Sequence, residues 1–369
     1  MICKINNHLP GRPAERRNEI IDFVHGKILS GQIKPGGRLP IRRSLQKKFN
    51  SSMATVQQAI DRLVADGFIE SRGVGGTFVS ANPPHLNQFA VVISAACLDD
   101  STPLFWKTMA DAFSEMGRDP RMRIKVCYWA AEQNLTPDAV ELIRNVSRRS
   151  IAGLVFITPP LSYENEKTRL INSGDIPCAV ALMKEVAGKF NAGTLVLDEI
   201  SYIRKSLEYF IGNGRRKIAV ITNFRYNNWW ENFESNAGRM GIETRPYWKI
   251  CVSNEARGGL ANIANMLMQL PKEKLPDALL IADDNLAKSV VDGLVDSGNS
   301  AVNRLKIVCH CNFPYKIHTQ LPMKFLGYDS RQVAGTFMHI LERQRKGEKA
   351  ISIVENVKPV FDDEIGGTL

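Results

Sequence analysis

Basic and amide side chains gather near the N-terminus in a pattern that could bind a polyanion. Arg42 and Arg43 precede a turn between two helical segments, and Gln57 lies on the polar face of the second segment. Arginine pairs with phosphate, and a glutamine amide can pair with adenine at a base edge. Met53 or Ala54 could touch a thymine methyl group. These residue types favour duplex DNA as the partner, although Gln57 could equally belong to a solvated helix face.

The charge distribution points to the same part of the chain. The net charge is +10, and residues 1–88 hold 13 Lys/Arg and 6 Asp/Glu, which gives +7. The other 281 residues contribute only +3. A small basic domain on a nearly neutral body favours a nucleic-acid partner, and the alternative is a solvated basic face without one.

Short helices and a hairpin position these side chains. Apolar spacing predicts helices over residues 15–30, 41–49 and 53–66, with Ser52 as an N-cap, and strands over 68–71 and 77–80. The glycine-rich segment between the strands, with Gly73, Gly75 and Gly76, could approach a sugar-phosphate backbone closely because it lacks bulky side chains. This order predicts an α+β winged helix-turn-helix domain over residues 12–80, whose third helix fits the major groove.

The same residues resemble a known family. The ordered pattern is Gly31-x-x-Lys34-Pro35-Gly36-x-x-Leu39-Pro40, Arg43-x-Leu45, Thr55-Val56-x-x-Ala59, Asp66-Gly67-x-Ile69 and Gly75-Gly76-Thr77-Phe78-Val79. It looks like the GntR DNA-binding domain. The resemblance implies that Arg43 contacts DNA, that Ser52 and Thr55 meet phosphates, and that residues 73–76 form the wing tip. The sequence departs from the family pattern at Ile41-Arg42, Met53 and Gln57, so base preference is not carried over.

The rest of the chain has a different pattern. Two prolines in residues 81–88 predict an extended linker, and strands then alternate with helices through residues 89–369. This predicts a two-lobed α/β domain with parallel sheets and a cleft at the carboxyl ends of the strands. Residues 195–198, 214–221 and 276–287 resemble the effector domain of the lac-repressor family, which has a periplasmic-binding-protein-like fold. That resemblance implies a sugar-type effector.

Several residues of this domain are candidate effector contacts. By position Asp198 and Asp284 match pocket carboxylates of the lac-repressor-like family, and Asp329 precedes its last long helix. Asp99 follows the first strand, and aromatic faces could come from Phe105 and Trp229. The alternative for each aspartate is a helix N-cap. The family's sugar-binding arginine falls near Trp229, and residues 309–312 replace its usual run, so an ordinary sugar is in doubt.

Other features limit the possible functions. The sequence has no apolar run long enough for a membrane helix and no signal-peptide core, and its seven cysteines suit a reducing cytoplasm. Cys309-His310-Cys311 alternates along a strand, so we expect no metal site, and we expect no cofactor or enzymatic activity. The prediction is a homodimeric, ligand-responsive transcription repressor controlling sugar or related metabolite genes. The alternatives are a regulator with an aminotransferase-like body and a solute-binding module without DNA function.

Overall fold

The structure contains a small N-terminal head (residues 13–80) and a two-lobed body (residues 88–365). It is a computed structural model that describes residues 13–94, 103–129, 136–157, 166–174, 176–181, 187–223, 227–252 and 259–365. The head and the body each have an apolar core of their own, so they are separate domains joined by residues 81–87.

Three helices and a two-stranded hairpin build the head. They are α1 (Pro13–Leu29), α2 (Arg42–Phe49), α3 (Met53–Ala65), β1 (Ile69–Ser71) and β2 (Thr77–Val79). The apolar stripes of α1 and α3 pack against each other, and Ile20, Val24 and Ile60 are almost fully buried. This burial follows from apolar residues spaced three and four apart, which fall on one face of a helix.

Local signals set the sharp turn between α2 and α3. Asn50 ends α2 in the left-handed region at φ 44°, a conformation that asparagine tolerates better than most residues. Ser52 then caps α3, because its Oγ accepts a hydrogen bond from the backbone N–H of Thr55 at 3.1 Å. The two caps leave only three residues, 50–52, between the end of α2 and the start of α3, and this fixes the direction of α3.

The segment joining head and body differs from the extended spacer that two prolines predict. Residues Pro84–Asn87 form one helical turn, α4. Proline is favoured at the first position of a helix because that position needs no N–H donor. His85 stacks on Phe68 of the head, with ring centroids 5.7 Å apart and an interplanar angle of 8°. Arg148 Nη1 of the body also lies 3.6 Å from Asp66 Oδ1 of the head, so the head contacts both the joining segment and the body.

Two six-stranded sheets form the body. The first lobe has the order β13-β7-β6-β5-β3-β4, and all its strand pairs are parallel. Its strands are β3 (Gln88–Ser94), β4 (Arg123–Trp129), β5 (Gly153–Phe156), β6 (Cys178–Ala181), β7 (Gly193–Leu197) and β13 (Val354–Val357). The second lobe has the order β14-β12-β11-β10-β8-β9, with only β14 antiparallel. Its strands are β8 (Ile218–Thr222), β9 (Lys249–Cys251), β10 (Ala278–Ile281), β11 (Lys306–Phe313), β12 (Lys324–Asp329) and β14 (Val360–Phe361).

Helices cover both faces of each sheet. They are α5 (Leu104–Met116), α6 (Pro137–Ser147), α7 (Glu166–Asn172), α8 (Glu199–Gly212), α9 (Asn227–Arg239), α10 (Leu260–Met268), α11 (Ala287–Asp296) and α12 (Ser330–Arg345). The chain crosses between the lobes after β7, after β12 and after β13, because α8 packs on the second lobe and α12 on the first. The carboxyl ends of both sheets therefore meet near these crossings, where a cleft is expected.

Two strands of the second lobe have weak signals in the sequence. The strand β12 contains Gly327, a residue type depleted in strands, and β14 is only two residues long. Here glycine is a packing requirement: a Cβ atom on Gly327 would lie 1.9 Å from the carbonyl oxygen of Cys311 on β11. The close approach of the two strands therefore hides the strand signal in the sequence.

Candidate functional site

The N-terminal turn of α3 presents a mixed surface. Met53 and Ala54 are exposed, and Met53 retains 44% of its accessible surface. Thr55 is buried, and its Oγ1 lies 2.9 Å from Ser52 Oγ. Gln57 is half-buried, and its Nε2 donates to Asp61 Oδ1 at 2.7 Å. Gln57 would have to leave Asp61 to pair with a base, whereas Met53 and Ala54 are already accessible.

Basic side chains and the glycine hairpin adjoin this helix in the head. Arg42 and Arg43 are exposed on the first turn of α2. Gly73 and Gly75 are exposed at the tip of the hairpin, and Gly76 is half-buried at φ 106°, a region open mainly to glycine. The structure thus places the sequence-predicted DNA residues on the three elements that a winged helix-turn-helix uses.

A cavity of about 350 Å³ lies between the two lobes at the carboxyl ends of their strands. Phe105, Trp229 and Asp284 line it, so the structure brings these three sequence-predicted residues together. Trp229 is nearly buried and stacks on Phe233 at an interplanar angle of 4°, so it belongs both to the core and to the cavity wall. The other described lining residues are Pro103, Trp106, Leu197, Glu199, Tyr202, Asn223, Ala282, Asp283, Asn285, His310, Asn312 and Tyr328.

Three other predicted contacts are not part of this described lining. Asp198 caps α8, where its carboxylate accepts from the N–H of Ser201 at 3.0 Å and from the Ser201 hydroxyl at 2.7 Å. Asp329 caps α12 by accepting from the N–H of Arg331 at 3.0 Å. Asp99 lies outside the described residues. The helix-cap alternative therefore accounts for the observed partners of Asp198 and Asp329.

Asp284 is the best-anchored carboxylate of the cavity. It is 2% exposed, and its Oδ2 accepts from the backbone N–H and the side-chain amide of Asn312 at 3.1 and 2.8 Å. These contacts tie the ends of β10 and β11 together. His310 Nδ1 lies 3.9 Å from the same oxygen. Adjacent Asp283 accepts from the N–H and the side-chain amide of Asn285 at 2.8 and 2.7 Å.

Burial shapes the protonation of this site. Burial and the neighbouring Asp284 carboxylate raise the pKa of Asp283 above its usual value. Burial also raises the pKa of Tyr202 and of Tyr328 well above the usual range, so both phenols remain neutral donors at physiological pH. The cavity thus combines two carboxylates with neutral hydroxyl and amide groups, a set suited to a hydroxylated small molecule.

Sequence reasoning missed most of the polar lining. Asp283, His310 and Asn312 were seen only as parts of longer motifs, and Tyr202 and Tyr328 were not singled out. Their shared signal is position, since Asp283 follows the end of β10, and His310 and Asn312 lie in the carboxyl-terminal half of the neighbouring parallel strand β11. Cys309 and Cys311 face away from His310 along β11, and the described residues contain no cluster of three or more potential metal ligands.

Sequence comparison identifies the head. Residues 16–79 match the family model described as bacterial regulatory proteins, gntR family. The head belongs to the GntR family. The regulator TauR of Rhodobacter capsulatus is 37% identical over 75 residues, which cover 20% of this chain and 16% of TauR. The chain therefore spans only a small part of that relative, and the likeness is that of a GntR head.

Wider comparisons cover the body joined to this GntR head. The arabinose metabolism transcriptional repressor of Geobacillus stearothermophilus is 20% identical over 360 residues, covering 89% of this chain and 91% of that repressor. A LacI-family regulatory protein from Chloroflexus aggregans superposes with a TM-score of 0.58 at 11% identity, covering 74% of this chain and 96% of that chain. The body thus has the fold of LacI-family regulators, as its sequence predicts. Among the described residues, every helix is too short or too polar to span a lipid bilayer.

Proposed function

We propose that this protein is a ligand-responsive, DNA-binding transcription repressor without enzymatic activity. The observation that carries the proposal is the union of a GntR head with an interlobe cavity of about 350 Å³ in one chain. The full-length likeness to an arabinose repressor supports sugar or related metabolite genes as the target. A cytoplasmic location follows from a DNA partner.

The head would read duplex DNA with α3 in the major groove. Exposed Met53 and Ala54 meet base edges there, and Gln57 does so after leaving Asp61. Arg42 and Arg43 bind phosphate, and the glycine hairpin lies along the backbone. The hydroxyls of Ser52 and Thr55 serve mainly to cap α3. Of the two side chains, Ser52 is the exposed one, and its hydroxyl approaches a phosphate. Two heads related by two-fold symmetry would occupy two half-sites, which makes a homodimer the expected assembly.

Ligand binding would act on the separation of the lobes. Two contacts already bridge them: the N–H of Leu104 donates to Asn285 Oδ1 at 3.0 Å, and the Tyr315 hydroxyl donates to Asp111 at 2.9 Å. Asn285 lines the cavity, so a ligand there competes with or reinforces the first bridge. A ligand that favours one lobe arrangement shifts the population toward it, and it changes DNA affinity only if the arrangements differ in that affinity.

The decisive experiment measures DNA binding by the full chain with the Arg43→Ala variant. A labelled pool of random-sequence duplexes is titrated at several salt concentrations. We expect salt-sensitive binding, and we expect Arg43→Ala to weaken it by about 5- to 100-fold and to reduce the salt slope by about one. Arg304→Ala is the matched control, because Arg304 is an exposed arginine of the second lobe. Binding that ignores salt, or equal losses in both variants, would refute the assignment.

A further inference from the structure

Two buried carboxylates lie side by side in the cavity, and no lysine or arginine among the described residues pairs with either of them. Asp283 is 5% exposed and Asp284 is 2% exposed, and both line the cavity. Their hydrogen-bond donors are the neutral amides of Asn285 and Asn312. Among the described residues, His310 is the one basic side chain that lies within 4 Å of either carboxylate. Because buried charge is costly when unpaired, this end of the cavity favours a cation.

Independent evidence for a ligand comes from buried hydroxyls without partners. Tyr202 is 3% exposed and Tyr328 is 5% exposed, and both line the cavity. Neither phenol oxygen has a hydrogen-bond partner within the part of the chain that the structure describes. His310 Nδ1 also lacks one. Buried polar atoms are nearly always paired in folded proteins. Three orphaned groups around one cavity therefore indicate positions where the polar atoms of a ligand belong.

Aromatic rings complete the walls. Phe105 and Trp106 come from α5 of the first lobe, opposite the aspartates of the second lobe. The His310 ring lies between Tyr202 and Tyr328, with centroid distances of 5.6 and 6.1 Å. Aromatic faces bind organic cations and also stack on the apolar faces of sugar rings. They thus suit a ligand that carries both an ammonium group and a carbon ring or chain.

We propose that the cavity takes a hydroxyl-bearing organic cation, such as an amino sugar or an amino polyol, whose ammonium group pairs with Asp283 and Asp284. Its hydroxyl groups pair with Tyr202, Tyr328 and His310. The inference rests on the proposed function and narrows its ligand class. A phosphorylated or acidic sugar is disfavoured because its charge has the same sign as the carboxylates. A neutral sugar fills the space but leaves the charge of the aspartates uncompensated.

The test compares cationic probes with neutral molecules of similar structure. Glucosamine is paired with glucose and with N-acetylglucosamine, and Tris is paired with pentaerythritol, a neutral molecule of nearly the same shape. Thermal shift and calorimetric titration of the full chain at pH 7 give the affinities. We expect each amine to bind at least about tenfold more tightly than its neutral partner, the gain typical of a charge-assisted hydrogen bond. Equal binding of the partners, or stabilisation by no amine, overturns the proposal.

Charge-neutral variants test whether Asp283 and Asp284 cause the preference for amines over neutral probes. Asp283→Asn and Asp284→Asn keep the side-chain shape and should reduce the amine preference to about twofold or less. Asp292→Asn removes one charge from an exposed position on α11 of the same lobe and should keep the full preference. An amine preference that survives in both cavity variants overturns the assignment. None of these measurements involves DNA. If the amines show no preferential binding, the DNA-binding proposal is unaffected, and if the protein does not bind duplex DNA, the amine affinities can still be interpreted.

Discussion

Three glycines in the hairpin of the head should respond very differently to alanine. Gly73 has φ 57° with open space around it, so alanine there costs about 1 kcal/mol of left-handed strain. Gly76 has φ 106° and ψ −160°, and a Cβ atom would lie 3.1 Å from Arg38 Nε. We expect Gly76→Ala to cost about 2–3 kcal/mol, because that region is essentially restricted to glycine. Gly75 has no positive φ, and its Cβ would make an ordinary 3.6 Å contact.

Gly75→Ala is therefore the matched control for the other two. Alanine at a compatible position restricts the unfolded chain, so this variant should be neutral or more stable by about 0.4–1 kcal/mol. The expected order of the free energy of unfolding is Gly75→Ala, wild type, Gly73→Ala and Gly76→Ala, from highest to lowest.

The assay can separate the head from the body. All five tryptophans lie at or beyond Trp106, so tryptophan fluorescence reports on the body, while far-UV circular dichroism also reports on the head. Urea unfolding followed by both signals should show the three variants shifting only the circular-dichroism component assigned to the head. Equal destabilisation by all three variants, or the largest loss at Gly75, would refute the backbone argument. A shift of the fluorescence transition would show that the head does not unfold by itself.

The remaining predictions concern a cap, a titratable ring and a helix contact. Ser52→Ala should lower the stability of the head by about 1 kcal/mol in the same urea experiment, through loss of the α3 cap, and an unchanged midpoint would contradict this. Burial lowers the pKa of His85 to about 4, so its contribution is complete above pH 6.5 and is lost as the pH falls toward 4. Between pH 7.5 and 4 the thermal unfolding temperature should therefore depend less on pH in His85→Phe, which keeps the aromatic stack, than in the wild type. An identical pH profile in both proteins would exclude His85 as a source of the pH dependence. Gly293→Ala should cost about 1–3 kcal/mol or more by thermal unfolding, because its Cβ would lie 2.0 Å from a carbonyl oxygen of the facing helix, whereas Gly238→Ala, in open space, should not destabilise.

Much of the architecture could be predicted because local patterns and packing agree. The helix stripes of the head are regular, and the buried strands of the body are short apolar runs between helices. The exceptions are elements with weak local signals. The strand β12 contains Gly327 for close packing on β11, and α4 begins at a proline that by itself suggests extended chain.

The cavity was harder to predict because its residues are distant in sequence. Asp284 was found through a family motif, and Phe105 and Trp229 through their aromatic character. Asp198 and Asp329 look identical to Asp284 at the sequence level, since all three lie at the start of a predicted helix. Only the three-dimensional arrangement separates the two that cap long helices from the one that accepts from Asn312 inside the cavity.

The way in which the head is attached to the first lobe limits how a ligand in the cavity could control the head. The head continues through α4 directly into β3 of the first lobe, and Arg148 of that lobe pairs with Asp66 of the head. The polar groups that would hold a ligand lie mainly on the second lobe. If a ligand closed the cleft, the second lobe would move relative to the first lobe and its attached head, so closure within one chain would change the position of its own head very little. In the proposed homodimer the signal would then pass through the second copy, whose contacts with the second lobe would change the spacing of the two heads. A ligand effect on DNA affinity that persists at concentrations where ultracentrifugation shows only monomers would contradict this route.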